Sequence, residues 1–397
     1  MIKTMSKGHE LAHVIENFFA SFNARYKLPA HKLKTLNAIR HCRTEYMGGH
    51  IEACQKCGEQ HVHYNSCRNR HCPKCGAIDR EKWIIAREAD LLPVKYFHVV
   101  FTVPDKLNEL FINNQQTMYN LLFATAWDVL QDFARTKKWI GGKIGATAIL
   151  HTWGQNLHYH PHLHFIVPAG ALMPSDKWKH SRKRGKYLFK VELLSSVFRA
   201  RFVSKTRDLI KQKVISGRLP KELFSKEWIV YAKQPFGGPE QVISYLGRYT
   251  HRSAISNERI LQVTRETVTF TWKDYSDNYK KKVTTLAGEK FLSLFCQHIL
   301  PHGFTRIRHY GFLSSASKTK SLGIIRAYLK QSPPKDNSNK PWQEIAFEKM
   351  GIKPGVCKSC GGDMVVIETM PNKFYVSQRA PPENIPGEIV NFCEYDF

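Results

Sequence analysis

The chain has 397 residues, room for two or three domains at roughly 100–200 residues each. With 42% hydrophobic and 23% charged residues it can bury a sizeable core, which excludes a wholly disordered polymer. Lys and Arg number 60 against 33 Asp and Glu, a formal charge of +27 that points to a polyanionic partner, nucleic acid ahead of an anionic membrane surface.

In chain order, residues 9–40 read as helical, because Leu11, Val14, Ile15, Phe18 and Phe19 recur at three- and four-residue spacing. Cysteines crowd between Cys42 and Cys75. YFHVVFTV, residues 96–103, predicts a buried strand stopped by Pro104. Residues 106–137 read as one or two helices, and 147–153 and 160–167 as two strands. The basic run 177–186 suits an exposed hairpin or loop. Helix returns at 191–214 and again from Pro239, which Gly238 precedes. Strands are expected at 258–264 and 267–273, and residues 332–341 form a linker by composition.

The longest stretch free of Asp, Glu, Lys and Arg, residues 144–175, carries five histidines, so no segment suits hydrocarbon. The first residues lack the apolar run of a signal peptide. The expected setting is therefore the reducing cytoplasm, where ten cysteines argue for metal rather than disulfides.

Cys54-x-x-Cys57 and Cys72-x-x-Cys75 have the spacing of two zinc knuckles, and four thiolates suit tetrahedral Zn²⁺. Cys42 with His50 and Cys67 with His71 would make a second, interleaved Cys₂His₂ site, with His61 and His63 as alternative ligands. So short a segment has little core, and metal would supply much of its folding energy. Arg68 and Arg70 decorate it as candidate nucleic-acid contacts. Cys357-x-x-Cys360 is a further knuckle without an obvious second pair, Cys393 offering only one more sulfur.

His158, His160, His162 and His164 alternate, so on a strand they share a face while Leu163, Phe165 and Val167 point into a core. A row of imidazoles there predicts metal binding, centred on His162 and His164. The remaining ligands come from elsewhere, with Gln155, His160 and Gln241 as candidates. On the helix from Pro239, Tyr245 and Tyr249 lie four apart with both hydroxyls on one face; Arg248 and Arg252 repeat that spacing and suit phosphates. A tyrosine hydroxyl has a pKa of about 10. It becomes a competent nucleophile toward a phosphate whose charge a cation withdraws.

Four segments together resemble the two-tyrosine HUH transposases of the insertion-sequence ninety-one type, relatives of rolling-circle replication initiators. They are Cys42-Arg-Thr with Gly48-Gly49-His50; Asn65-Ser-Cys67-Arg-Asn-Arg-His71-Cys72-Pro-Lys-Cys75; His160-Pro-His162-Leu-His164; and Tyr245-Leu-Gly-Arg248-Tyr249-Thr-His251-Arg252. Phe270-Thr-Trp272-Lys-Asp274-Tyr275 and His298-Ile-Leu-Pro301 fit as well. The resemblance spans about residues 10–330 and implies an α+β fold. A helical and zinc-binding N-terminal domain (1–95) would precede an HUH nuclease domain (96–330) with a central antiparallel sheet and a tyrosine-bearing helix. A linker and small tail (331–397) would follow.

It further implies Mg²⁺ or Mn²⁺ on His162 and His164, with the third ligand unassigned and Gln155 the first candidate, then Gln241. One or two Zn²⁺ would sit in the N-terminal domain, and Tyr245 and Tyr249 would be the nucleophiles. The expected partner is DNA at element ends, single-stranded or hairpin, in a bacterial cytoplasm at the nucleoid. Arg68, Arg70, Lys183, Arg184, Arg248 and Arg252 are the expected DNA contacts. The rival readings are a replication initiator or relaxase with the same chemistry, a non-catalytic zinc-dependent DNA-binding regulator, and a metal hydrolase of small substrates. The last leaves the positive charge and the tyrosine pair unexplained.

Overall fold

A computed structural model describes residues 8–233, 241–243, 247, 253–275, 277–332 and 340–374. The helices are α1 (Leu11–Tyr26), α2 (Ala30–Arg40), α3 (Ala77–Glu88), α4 (Asn108–Asn113), α5 (Gln115–Arg135), α6 (Arg182–Gly185), α7 (Val191–Lys211), α8 (Gly288–Gln297), α9 (Lys318–Leu329) and α10 (Trp342–Met350). The strands are β1 (Gly49–Cys54), β2 (Gln60–Tyr64), β3 (Tyr96–Thr102), β4 (Gly145–Trp153), β5 (Tyr159–Pro168), β6 (Gly170–Leu172), β7 (Trp178–His180), β8 (Val230–Lys233), β9 (Ile260–Val263), β10 (Thr267–Asp274), β11 (Lys280–Ala287), β12 (Ile307–Gly311) and β13 (Met364–Met370). Every strand pairing among the described residues is antiparallel, so the fold is α+β.

The central sheet runs β12-β4-β5-β3-β8, which puts the histidine-rich β5 in the middle. Alternation divides its side chains between two cores. Phe97, Val99 and Phe101 of β3, Ala146, Ala148 and Leu150 of β4, and Leu163, Phe165 and Val167 of β5 bury against α4, α5 and α7. The opposite face carries Tyr96, Ile149 and Ile166 among a second cluster with Trp83 and Ile84 of α3, Val242, Ile243, Phe312 and Leu313. β12 joins the sheet edge through Gly311 at φ +62°, where an added Cβ would fall 1.8 Å from the Ile144 carbonyl oxygen. Only glycine tolerates that approach.

The predicted helical stretch 9–40 is two helices. Lys27 closes α1 at φ 40°, and Pro29 occupies the N-cap position of α2. The stripe Leu11, Val14, Ile15, Phe18 and Phe22 of α1 packs on Phe270 of β10 and Phe291, Leu292 and Phe295 of α8. The start of the chain therefore shares a core with residues 254–299. A third sheet, β13-β1-β2, joins the C-terminal segment to the cysteine-rich region. Of the basic run, residues 178–180 form β7, paired with β6, and residues 182–185 form α6. The linker predicted at 332–341 falls mostly outside the described residues. Among the described residues no helix is long and apolar enough to cross a membrane.

Candidate metal centres and nucleic-acid surface

His162 and His164 project from β5 on the face opposite Leu163 and Phe165. Register supplies a third imidazole: His151 of β4 pairs directly with His162. One ring nitrogen from each of His151, His162 and His164 lies within 4.8 Å of the others. Nδ1 of His162 donates to the His160 carbonyl at 2.7 Å, which leaves the Nε2 lone pair as the ligand atom. Nδ1 of His164 lies 2.7 Å from Nε2 of His98, one strand away on β3. A metal-bound imidazole commonly donates its second ring N–H in this way. Burial holds the His162 imidazole down at about 4 and that of His164 well below the usual histidine range, so both present neutral, ligand-competent rings at neutral pH.

Gln155, the expected third ligand, is engaged otherwise. It lies in the β4–β5 turn, its Nε2 donating to the Tyr275 hydroxyl at 2.9 Å and its carbonyl accepting from Arg259. Strand pairing delivers the His151 imidazole beside His162, while the turn carries Gln155 toward the β10–β11 hairpin. His160 is half-exposed and faces Asp105 at 3.2 Å. Gln241 is exposed and helical with Val242 and Ile243, and Gly247 is helical too. Tyr245, Tyr249, Arg248 and Arg252 lie outside the described residues. Val242 and Ile243 nevertheless pack on the sheet face that carries the three histidines.

The cysteines group differently from their order along the chain. Cys42, Cys67, Cys72 and Cys75 form one cluster, while Cys54 and Cys57 join Cys357 and Cys360. Sulfur pairs Cys42–Cys75 and Cys67–Cys75 stand 3.5 and 3.7 Å apart. Zn–S bonds of about 2.3 Å in a tetrahedron set S···S near ~3.8 Å, so the first cluster fits the ion. Hydrogen bonds among the four sulfurs bring the Cys42 thiol down to about 7 and lower Cys75, while they raise Cys67 and Cys72.

The expected Cys₂His₂ partners are elsewhere. His71 is buried, its Nε2 accepting the Leu300 N–H at 3.3 Å, which pins the cysteine segment to the loop before β12. Burial lowers its pKa well below the ordinary value. His50 on β1 meets Glu52 at 3.2 Å and stacks on His63, which also meets Glu52, at 3.3 Å; His61 pairs with Glu59 at 3.5 Å. None of these rings joins either sulfur cluster. Cys393 lies outside the described residues.

Basic groups line a cleft of about 470 Å³ beside the first cluster, with Arg68, Arg70 and Arg306 on its walls. Arg70 also donates to the Phe304 carbonyl at 2.6 Å. Burial brings the Arg306 guanidinium down to about 10, still fully charged at neutral pH. Lys183 is exposed, and nothing of the Arg184 side chain is among the described parts. The β10–β11 hairpin exposes two further aromatic rings that the sequence reading did not single out. Tyr275 and Tyr279 are 58% and 69% exposed, their ring centroids 5.2 Å apart. Their signal was the run Tyr275-Ser-Asp-Asn-Tyr279-Lys-Lys-Lys, aromatics beside consecutive cations.

A family described as a putative transposase matches residues 145–321, and one described as a transposase zinc-binding domain matches residues 14–103. The chain is 38% identical to the putative transposase y4qJ of Sinorhizobium fredii over 381 residues, 91% of this chain and 95% of that protein. It is 28% identical to the transposase for insertion sequence element IS801 of Pseudomonas savastanoi pv. phaseolicola, over 84% of this chain and 83% of the relative. No solved structure matches.

Proposed function

The chain belongs to the transposases of the insertion-sequence ninety-one type, with their N-terminal zinc-binding domain, and from that premise we propose that it nicks and rejoins single-stranded DNA at element ends through a 5′-phosphotyrosine, in rolling-circle fashion. The observation that carries this reading is the group of three buried or half-buried imidazoles, His151, His162 and His164, at the centre of an antiparallel sheet. A divalent ion held there would withdraw charge from a scissile phosphate.

Tyr245 and Tyr249 are the proposed nucleophiles. A tyrosine hydroxyl gives up its proton and bonds phosphorus, and the 3′-oxygen leaves and ends as a free 3′-hydroxyl. Bond energy stays in the phosphotyrosine, so rejoining needs no nucleotide cofactor. The second tyrosine permits a second cleavage while the first end is held. Support comes from Val242 and Ile243, which anchor the start of the tyrosine segment on the histidine face. The ion is Mn²⁺ or Mg²⁺. Three imidazoles, with no carboxylate beside them among the described residues, would by themselves favour softer ions, so phosphate and water oxygens would complete the shell.

Zn²⁺ on Cys42, Cys67, Cys72 and Cys75 stabilises the N-terminal region and shapes the arginine cleft that takes the phosphate backbone. Tyr275 and Tyr279 stack on unpaired bases, an interaction open only to single strands or loops. A denaturing gel with labelled single-stranded element ends tests the whole. A covalent band that requires Mn²⁺ or Mg²⁺ and disappears in the Tyr245→Phe/Tyr249→Phe double variant is expected. A band that survives both changes rejects the nucleophile assignment.

A further inference from the structure

We propose that Cys54, Cys57, Cys357 and Cys360 hold a second, structural Zn²⁺ that clasps the C-terminal segment onto the zinc-binding region. The matched zinc-binding domain ends at residue 103, so half of this donor set lies far outside it. Sequence supplies two copies of one element, Cys54-Gln-Lys-Cys57-Gly58 and Cys357-Lys-Ser-Cys360-Gly361. The structure folds both the same way. The Gly58 N–H donates to the Cys54 carbonyl at 2.9 Å, and the Gly361 N–H to the Cys357 carbonyl at 3.0 Å. Both glycines sit at positive φ, +75° and +71°. Two such knuckles facing each other make a four-sulfur zinc shell.

They do face each other. Cys54 and Cys360 sulfurs stand 3.4 Å apart, Cys57 and Cys357 sulfurs 3.7 Å, and all four lie within 4.8 Å. The Lys56 N–H points at the Cys54 sulfur at 3.4 Å, the contact that steadies a thiolate in a knuckle. The Gln55 N–H donates to the Asp363 carbonyl at 2.9 Å across the pair. At Gly362 an added Cβ would meet the Lys56 Cβ at 2.8 Å and the Cys54 sulfur at 3.1 Å, so the backbone must be bare there for the halves to close. Glu59 accepts from the Cys357 thiol at 3.6 Å, a proton that ion binding would release to solvent.

Among the described residues the sheet around the site buries little. Val62, Val365, Val366 and Ile367 are exposed, and the adjacent core has Ala38, Met47 and Phe374 as its buried members. Metal ligation is how such small sheets stay closed. The sites of the nuclease reading play no part, so this inference stands or falls separately from it.

The test uses the full chain loaded with Co²⁺, whose thiolate charge-transfer absorbance scales with the number of Co–S bonds, together with zinc analysis of the native protein. The Cys357→Ser/Cys360→Ser variant should lose one zinc per chain and about half of that absorbance, leaving the four thiolates of the Cys42 cluster. Should that variant fail to fold, the Cys57→His change, at an exposed sulfur, should keep the metal count while the absorbance drops by one thiolate's share. Unchanged zinc and absorbance in the serine variant, or in the histidine variant, overturns the proposal. So does wild-type protein in which mass spectrometry finds these four cysteines as disulfides without the ion.

Discussion

His98 Nε2 stands 2.7 Å from His164 Nδ1, and the two rings lie parallel within 8°. Strand β3 thus fixes the orientation of an imidazole on β5. Removing such a partner commonly costs 10–100-fold in metal affinity. His98→Ala should weaken Mn²⁺ binding by about that factor in calorimetry while leaving single-stranded DNA affinity measured without metal unchanged. Wild-type Mn²⁺ affinity in this variant would show that the contact is packing alone.

His151 and Gln155 make opposite predictions. His151→Ala removes one of three imidazoles and should abolish metal-dependent nicking, with DNA binding kept. Gln155→Ala frees Tyr275 and should leave Mn²⁺ affinity within a few-fold of wild type. Nicking by the first variant at wild-type rate would remove His151 from the ligand set.

Tyr275→Ala and Tyr279→Ala each remove an exposed ring beside Lys280 and Lys281. Stacking on one base is worth about 1–3 kcal/mol, so single-stranded affinity should fall roughly 5- to 160-fold per variant, with duplex affinity almost unmoved. Fluorescence anisotropy at two salt concentrations separates this from charge. The salt slope should stay constant in these variants and shrink when Arg68 is changed to Ala. Equal losses on single strand and duplex would assign the rings a different role.

Acid should destabilise the fold through its buried imidazoles. Burial is the main cause that depresses His298 and His309 to about 4 from an unfolded value of 6.5. In that window the unfolded chain binds more protons, so stability is full above pH 6.5, declines as pH falls toward 4, and levels off below. Each ring contributes at most ~3 kcal/mol to that decline. His309 receives a hydrogen bond from Arg87 at Nε2 and sits 3.0 Å from the Thr147 hydroxyl at Nδ1, groupings a glutamine amide can imitate. Urea titrations across that range should show a shallower acid decline for His309→Gln than for wild type. Parallel curves would mean that the ring does not titrate on unfolding.

The alternation of β5 is local, and so the sequence suffices to show that His162 and His164 share a face opposite Leu163 and Phe165. Whatever depends on register is hidden. His151 already stood in a predicted strand, but only the pairing of β4 with β5 brings it beside His162. The cysteines mislead for a related reason. Proximity along the chain favours joining Cys54 and Cys57 to Cys72 and Cys75, whereas β1 pairs with β13 and brings in Cys357 and Cys360. The break between α1 and α2 was legible in Pro29, yet the apolar stripe on either side masks it. The shared core of α1 and α8 carries no local signature at all.

The junction of Cys57 with Cys357, 300 residues apart, has a consequence in time. A ribosome adding about 5–20 residues per second exposes the first knuckle for some ~15–60 s before the second exists. During that interval Cys42, Cys67, Cys72 and Cys75 are the sulfurs near Cys54 and Cys57 along the chain, so the nascent chain faces a choice between a quick local pairing and the final one. Early capture of Cys72 and Cys75 by Cys42 and Cys67, which are already synthesised, removes the competitor. The order of synthesis and the spatial sorting of eight thiols are thereby matched, and a chain stopped before residue 357 emerges with two sulfurs still seeking partners.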